Sequence, residues 1–337
     1  MARANAAAKL TISLALTDNE RTRPVIDGQV GWEAIEPVVS VLDPGEIFWR
    51  QLKFAEFDVS EMSLSSLFIR ASLGHREWVA LPIFTARRFF HTEMMVHVDA
   101  GIATPADLRG KRLGVPEFQQ TAAVWDRGIL KHEFGVDMRD IHYFMERGGQ
   151  KSHGATTNFE PPPGVKLTYI PESSSIARML IDHEIDGTLH YISSLNAVDR
   201  SGVDLHARPE LRRLFPDPIA EGRRYYEKTG IFPINHCVVV RRELLATHPW
   251  LALNIYNTFV AAKRIGLARH VAEAEPYVRL GLIEPAARAA LGRDVYAYGV
   301  VAARPVLETI RAYLEEQQLA TNVPPIDEIF APQTLAL

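Results

Sequence analysis

A chain of 337 residues, 47% hydrophobic and 23% charged, has the composition of an ordinary globular protein and the length for two domains, each with its own core. Its 37 basic against 41 acidic side chains give a formal net charge of -4, which excludes the electrostatic footprint of a nucleic-acid binder or of a protein held on an anionic membrane. One cysteine, Cys237, excludes an intrachain disulfide and a cysteine-rich metal cluster.

The N-terminal stretch Met1–Lys9 begins like a signal peptide, yet the apolar run behind it, Leu10–Leu16, is broken by Thr11 and Ser13 and alternates as a strand does. No stretch approaches the roughly 20 apolar residues of a membrane span. The expectation is a cytoplasmic protein. Further strands are expected at Val38–Leu42, Asp58–Glu61 and Trp78–Phe84, and Met94–Val98 leads into a second lobe. Asp43-Pro44 supplies a cap and a first-turn proline for a helix through Phe54, and Leu64–Leu73 reads as a helix stopped by Gly74. Arg112–Val115 is a strand, followed by a helix over Thr121–Phe134 that Gly135 closes. Short strands follow at Tyr143–Phe144, Val165–Ile170 and Gly187–His190, with a long loop over Glu146–Gly164 and a helix capped by Ser173-Ser174-Ser175. Ile231–Val240 is β-branched and long enough to be a crossover strand, and Trp250–His270, Pro285–Leu291 and Pro305–Gln317 show helical periodicity. This alternation predicts an α/β fold with discontinuous domains: residues 1–97 and 236–337 form a first lobe with the C-terminal helices, and residues 98–235 are an inserted second lobe.

Four clusters carry candidate chemistry. Glu61-Met62-Ser63-Leu64-Ser65-Ser66 places hydroxyls where a strand turns into a helix, the place where open α/β sheets bind ligands; a plain helix cap by Ser63 or Ser65 explains the same residues. Arg87-Arg88-Phe89-Phe90-His91 combines cations, an apolar wall and a proton carrier. Adjacent strand residues face opposite ways, so one arginine rather than both should reach a given ligand. Gln119-Gln120-Thr121 offers neutral donors at a helix start, and His190 with Tyr191, together with His236, completes the set. Twelve histidines make chance proximity to a cleft easy, and most lone histidines are hydrogen-bonded structural residues. There is no His-Glu-x-x-His motif, no glycine-rich nucleotide turn and no Gly-x-Ser-x-Gly elbow, so zinc-protease and serine-hydrolase chemistry lack support.

The run Asp107-Leu108-Arg109-Gly110-Lys111-Arg112-Leu113-Gly114-Val115-Pro116, with Glu117–Thr121 after it, resembles the ligand-binding lobe of the type II periplasmic-binding-protein fold. That fold closes two α/β lobes on a small anion and aims free backbone N–H groups at it. Longer segments narrow the likeness. Phe48–Ser63, Thr85–Thr92, Gly114–Trp125 and Thr229–His236 are similar to 4,5-dihydroxyphthalate decarboxylase, a similarity that runs from about Leu10 to the Phe330 region and extends to Ser152–Gly164 and Leu189–Ile192. The resemblance implies a cytoplasmic enzyme of phthalate breakdown that converts 4,5-dihydroxyphthalate into 3,4-dihydroxybenzoate and carbon dioxide.

The chemistry implied sets demands of its own. Each carboxylate lies para to a hydroxyl, so the catechol ring supplies the electrons and no organic cofactor is expected. A ring-protonating acid is required, with His91 or His236 in that role and the other polarising a hydroxyl. Arg88, or Arg87 if the strand phase is reversed, clamps the retained carboxylate, while Ser65, Ser66, Gln119, Gln120 and Thr121 donate hydrogen bonds. Phe89, Phe90 and Trp125 exclude water. Glu61 is either the hydroxyl base or a structural carboxylate. A divalent metal held by His91, His236 and Glu61 is the lesser alternative. The expected partner is a small-molecule aromatic dicarboxylate, with no nucleic acid and no membrane; homo-oligomer formation stays open. The rivals are a solute-binding protein without turnover, which calls for an export signal or lipoprotein cysteine, and a regulatory lobe, which calls for a DNA-binding helix-turn-helix.

Overall fold

A computed structural model describes residues 9–337. The signal-peptide question, which turns on Met1–Ala8, lies outside the described residues. The period-2 alternation of Leu10–Leu16 makes β1, which sends Ile12, Leu14 and Leu16 into the core. β2 (Ile35–Val41) and β3 (Val59–Ser63) flank it in parallel. β4 (Trp78–Arg87) and β11 (Ile234–Arg241) complete a five-stranded sheet of order β2-β1-β3-β11-β4, with β11 antiparallel to both neighbours. Among the described residues a second sheet takes β5 (Met95–His97), β6 (Arg112–Val115), β7 (His142–Met145), β8 (Lys166–Tyr169), β9 (Gly187–Thr188) and β10 (Leu211–Arg213) in the order β10-β5-β9-β6-β7-β8. Its β9-β6-β7-β8 part is parallel, and β5 runs antiparallel to β9 and β10.

Two lobes therefore form as the alternating pattern predicts, but the crossing point moves. β5 belongs to the second sheet, where Val96 pairs with Gly187 and His97 with Leu211, so the chain crosses between Arg87 and Met95 rather than at 97/98. It returns at Ile234, slightly before the expected 235/236 boundary. Gly187 is required by the pairing, because a Cβ there would stand 2.8 Å from the Met95 carbonyl oxygen.

Asp43 caps the helix Pro44–Phe54 as its sequence predicts, its Oδ1 accepting from Gly45 N at 2.9 Å. The helix Thr121–Phe134 ends at Gly135 in the left-handed region, φ 67. Two C-terminal helices exceed their predicted spans: Leu251–Arg279 runs on through Pro276, and Val300–Glu316 begins ahead of Pro305. The latter, carried by the first lobe, braces the second. Gln317 Nε2 donates to the Val124 carbonyl at 2.8 Å and Arg127 Nε donates to Gln317 Oε1 at 2.8 Å. The helix Pro218–Thr229, strongly charged, is missing from the sequence expectations.

Gly128 sits where these helices touch, and a Cβ there would run into the Tyr313 ring. Alanine in an exposed helix is better than glycine by about 1 kcal/mol, but overpacking costs about 1–3 kcal/mol. Gly128→Ala is therefore expected to lower the unfolding midpoint, and restoring space with Tyr313→Leu should recover part of the loss. A stabilised Gly128→Ala protein in denaturant titration would show that the helices slide apart without cost.

Candidate functional site

The lobes face each other across a cleft of about 710 Å³, within the roughly 300–1,000 Å³ of small-molecule sites. Its chemistry begins with an irregularity between β11 and β4. Ile234 pairs with Arg87 and His236 with Ala86, but Val238 pairs with Leu81, so Pro82–Thr85 fall out of register. Pro82 has no N–H to give the ladder, and its carbonyl accepts from Gly299 N at 2.9 Å. Register breaks of this kind re-aim side chains. Consecutive residues Asn235 and His236 both line the cleft, and so do Arg87 and Arg88, where a regular strand would have turned one of each pair away. The expectation that one arginine alone faces the ligand is corrected on that ground.

His236 is held from behind. Its Nδ1 lies 3.2 Å from Glu61 Oε2, and its ring packs edge-on to Phe48 with centroids 4.7 Å apart. Glu61 is fully buried in the middle of β3 and also accepts from Thr17 N (2.8 Å), Thr17 Oγ1 (2.6 Å) and Thr85 Oγ1 (2.8 Å). Burial pulls its carboxyl upward, but the hydrogen bond and charge of His236, with the Thr17 donors, outweigh burial and hold it below the ordinary range. An ionised carboxylate with every donor in place orients the imidazole. Glu61 is absent from the cleft lining, so its role as a hydroxyl base gives way to that of a buried orienting carboxylate.

Cations gather on the same side. Arg21 lies under the Tyr296 ring at 4.0 Å, and its Nη2 donates to the Thr85 carbonyl at 2.6 Å. Arg87 Nη2 donates to the Ala297 carbonyl at 2.9 Å; burial first, with Arg21 adding and Asp294 and Tyr298 opposing, pushes it down to about 10. The Nε atoms of both are buried and unpartnered. Arg88 lines the mouth, more exposed, with Nη1 at 3.1 Å from Glu93.

The opposite wall comes from the second lobe. Gln120, Thr121 and Ala122 bring the start of the helix Thr121–Phe134 to the cleft, where a helix N-terminus favours anions. Gln120 Nε2 is buried without a partner. Arg147 and Asp199, both buried, form two parallel hydrogen bonds of 2.7 and 2.6 Å. Arg147 Nη1 also reaches His153 Nε2 at 3.3 Å, so that nitrogen accepts and His153 Nδ1 donates to Ser66 Oγ at 3.0 Å. Burial, then the Arg147 charge, pushes His153 down to about 3. His190 packs edge-on to Phe90, and burial, then Arg88, pushes it down to about 4. Tyr191 lines the cleft and donates its hydroxyl to the Val203 carbonyl at 2.7 Å.

Several expected residues stand elsewhere. His91 is fully buried, pairs with Glu221 at 3.1 Å, packs on Phe215 and Tyr225, and is absent from the lining, because the segment Phe90–Glu93 turns it toward the helix Pro218–Thr229. Its role as a ring acid is thereby corrected. The set His91, His236 and Glu61 does not converge, and among the described residues no group of three or more His, Cys, Asp and Glu side chains is placed to hold a metal. Ser65 donates to the Gln119 carbonyl at 2.6 Å, Ser66 meets His153, and Thr157 donates to Gln119 Oε1 at 2.7 Å. Ser65, Ser66 and Gln119 thus tie the lobes together instead of donating to a ligand. Trp125 donates to the Ile234 carbonyl at 2.9 Å and is core. Arg21, Phe48, Arg147, His153, Phe232, Asn235 and Tyr296 line the cleft beyond expectation.

In architecture the protein is a two-lobed, periplasmic-binding-protein-like α/β chain with an arginine-rich cleft. Aliphatic sulphonate binding protein SsuA from Escherichia coli aligns with a TM-score of 0.51 at 13% identity, over 97% of this chain and 99% of that one. Protein AF1704 from Archaeoglobus fulgidus aligns at 0.50 and 16% identity, over 92% and 98%. Both show the fold alone. No family model matches the sequence. A 4,5-dihydroxyphthalate decarboxylase from Comamonas testosteroni is 35% identical over 332 residues, 97% of this chain and 98% of the relative. One of the same name from Pseudomonas putida is 36% identical over 183 residues, 54% of this chain and 70% of that protein. The chain belongs to the 4,5-dihydroxyphthalate decarboxylase family.

Proposed function

We infer that the protein is a carboxy-lyase that removes one carboxylate of 4,5-dihydroxyphthalate, giving 3,4-dihydroxybenzoate (protocatechuate) and carbon dioxide. The observation that carries this reading is the likeness, over nearly the whole of both chains, to a relative of that name. The cleft supports it: one wall offers arginines for carboxylates and a carboxylate-oriented imidazole for proton transfer.

The reaction takes up one proton per turnover. A ring hydroxyl gives its proton to an acceptor, and the para carbon, made electron-rich, takes a proton from a general acid. The C–C bond to the carboxylate then breaks, its electron pair restores the aromatic ring, and the hydroxyl recovers its proton. His236 is assigned to the ring-protonating role, since ionised Glu61 stabilises its imidazolium. His190, which lines the cleft and is kept neutral, takes the hydroxyl-polarising place expected of the second histidine, accepting a hydrogen bond from a ring hydroxyl. Arg87, Arg88 and Arg21 clamp the retained carboxylate, and Gln120 Nε2 supplies a neutral donor, while the Thr121 hydroxyl is engaged by Ser63 and Ser65. Phe89, Phe90 and Phe232 line the cleft and exclude water, which favours loss of the charged group as a neutral gas. The catechol supplies the electrons, so the reading invokes no organic cofactor.

Protocatechuate still carries a carboxylate para to a hydroxyl, so reactivity alone does not stop the enzyme after one loss. The second carboxylate must be the recognition handle. Arg88→Ala is expected to raise KM at least about tenfold, the worth of a charge-assisted hydrogen bond, without gaining activity on protocatechuate. Quantitative conversion of protocatechuate to catechol by the unaltered protein would refute the handle. The function itself is tested by following carbon dioxide and protocatechuate from purified protein and 4,5-dihydroxyphthalate, with and without chelator. Tight binding without turnover, even after divalent metal is added back, overturns the decarboxylase.

A further inference from the structure

We propose that Asn235 is a positioning residue for His236 whose side-chain amide turns over as the imidazole gains and loses its proton. The register break at β11 is what makes this contact available. Neighbouring strand residues normally diverge, yet Asn235 Nδ2 lies 2.9 Å from His236 Nε2 and both line the cleft.

The protonation pattern follows from the partners. Glu61 is ionised and accepts from Thr17, Thr85 and His236, so His236 Nδ1 carries a hydrogen and donates it. Proton exchange with the cleft is left to Nε2. With Asn235 Nδ2 donating, Nε2 is an acceptor and the ring is neutral. Asn235 Oδ1 is buried and has no partner in this arrangement. An unpartnered buried acceptor is costly, and a half-turn of the amide brings it onto Nε2, where it accepts from the imidazolium. The two amide ends thus serve the two charge states in turn, and neither state leaves Nε2 without a partner. Among the described residues the other groups facing the ring are few: Glu61 from β3, the Phe48 ring from the helix Pro44–Phe54, and His153, held neutral, from the loop after β7. None of them can match both states of Nε2.

The consequence for activity rests on the assignment of His236 as the acid; the contact itself does not. In the ligand-free protein, side-chain amide signals of Asn235 and the ring 15N signals of His236 are followed by NMR across about pH 5 to 9, the span of histidine chemistry. The amide signals are expected to move with the same midpoint as the ring, with Nδ1 protonated throughout. In activity, Asn235→Asp supplies an acceptor alone and favours the imidazolium, so the alkaline limb of kcat/KM should move up by about one pH unit, the size of a neighbouring opposite charge. Asn235→Ala removes both partners, leaving the limb near its place with a fall of a few-fold. Amide signals that ignore a titrating His236, or a ring that never titrates in that span, overturn the proposal. Amide signals that track the ring while the pH–rate limb ignores Asn235→Asp would keep the contact and remove His236 from the acid role.

Discussion

His236→Gln is expected to lower kcat by about 100- to 10,000-fold, the contribution of a positioned general acid, while KM stays within a few-fold. Glutamine keeps an N–H for Glu61 but has no proton to exchange with the ring carbon. The arginines that hold the carboxylate are untouched, so binding and chemistry separate cleanly. Glu61→Gln should approach the same loss of kcat for a different reason. It replaces an acceptor of bonds from Thr17, Thr85 and His236 by a group that is half donor, and removes the negative charge that favours the imidazolium. The carboxyl of Glu61 is held below its ordinary range, so its stabilising effect is full above that range and is lost as pH falls through the lowered value. Steady-state kinetics on both variants, with circular dichroism to confirm folding, decide the matter. A His236→Gln enzyme within threefold of the unaltered protein would move the acid elsewhere in the cleft.

The framework was legible because local signals and tertiary packing agree. Asp43-Pro44 and Gly135 are strong end signals, and the structure uses both for the helices they predict. β1 appears at its predicted residues because the alternating apolar side chains Ile12, Leu14 and Leu16 are the ones the fold buries. β10 is short and partly exposed, and the helix Pro218–Thr229 is so polar that it buries only Gly222 and Tyr225, so neither writes an apolar run into the chain.

The site was harder because its geometry depends on a break in periodicity. His236 and the pair Arg87-Arg88 could be singled out as unusual chemistry, but strand alternation argued against adjacent residues sharing a face. The out-of-register segment at Pro82–Thr85 reverses that argument, and the proline was the one local hint of it. His91 misled for a related reason. It adjoins cleft residue Phe90, yet a single turn of 3₁₀ helix points it into the protein. Arg147 and His153 both lie inside the stretch Glu146–Gly164, which reads as glycine- and proline-rich loop. Nothing local says that Asp199, far along the chain, meets Arg147.

That ion pair carries the largest expected effect on stability. Arg147→Met leaves the Asp199 carboxylate buried with Asn196 Nδ2 at 2.9 Å as its remaining side-chain donor. Removing one partner of a buried pair costs about 3–5 kcal/mol, whereas replacing both by apolar groups is often neutral or better. The expected result in denaturant unfolding is therefore a strong loss for Arg147→Met and recovery of most of it in the double variant with Asp199→Leu. Function should not follow stability back. Arg147 is also the donor that fixes the accepting state of His153 Nε2, and with it the direction of the bond from His153 to Ser66 across the lobes. In the double variant the downward influence of Arg147 and the opposing upward one of Asp199 are lost together, and burial, the larger cause, still keeps His153 below the ordinary histidine range. The double variant is expected to be folded and poorly active, because without the Arg147 donor the His153 tautomer, and with it the lobe contact through Ser66, loses its fixed polarity. Full activity in a restabilised double variant would reduce Arg147 to a strut; an unstable double variant would mean that the pair itself, and not the isolated charge, holds the second lobe in place.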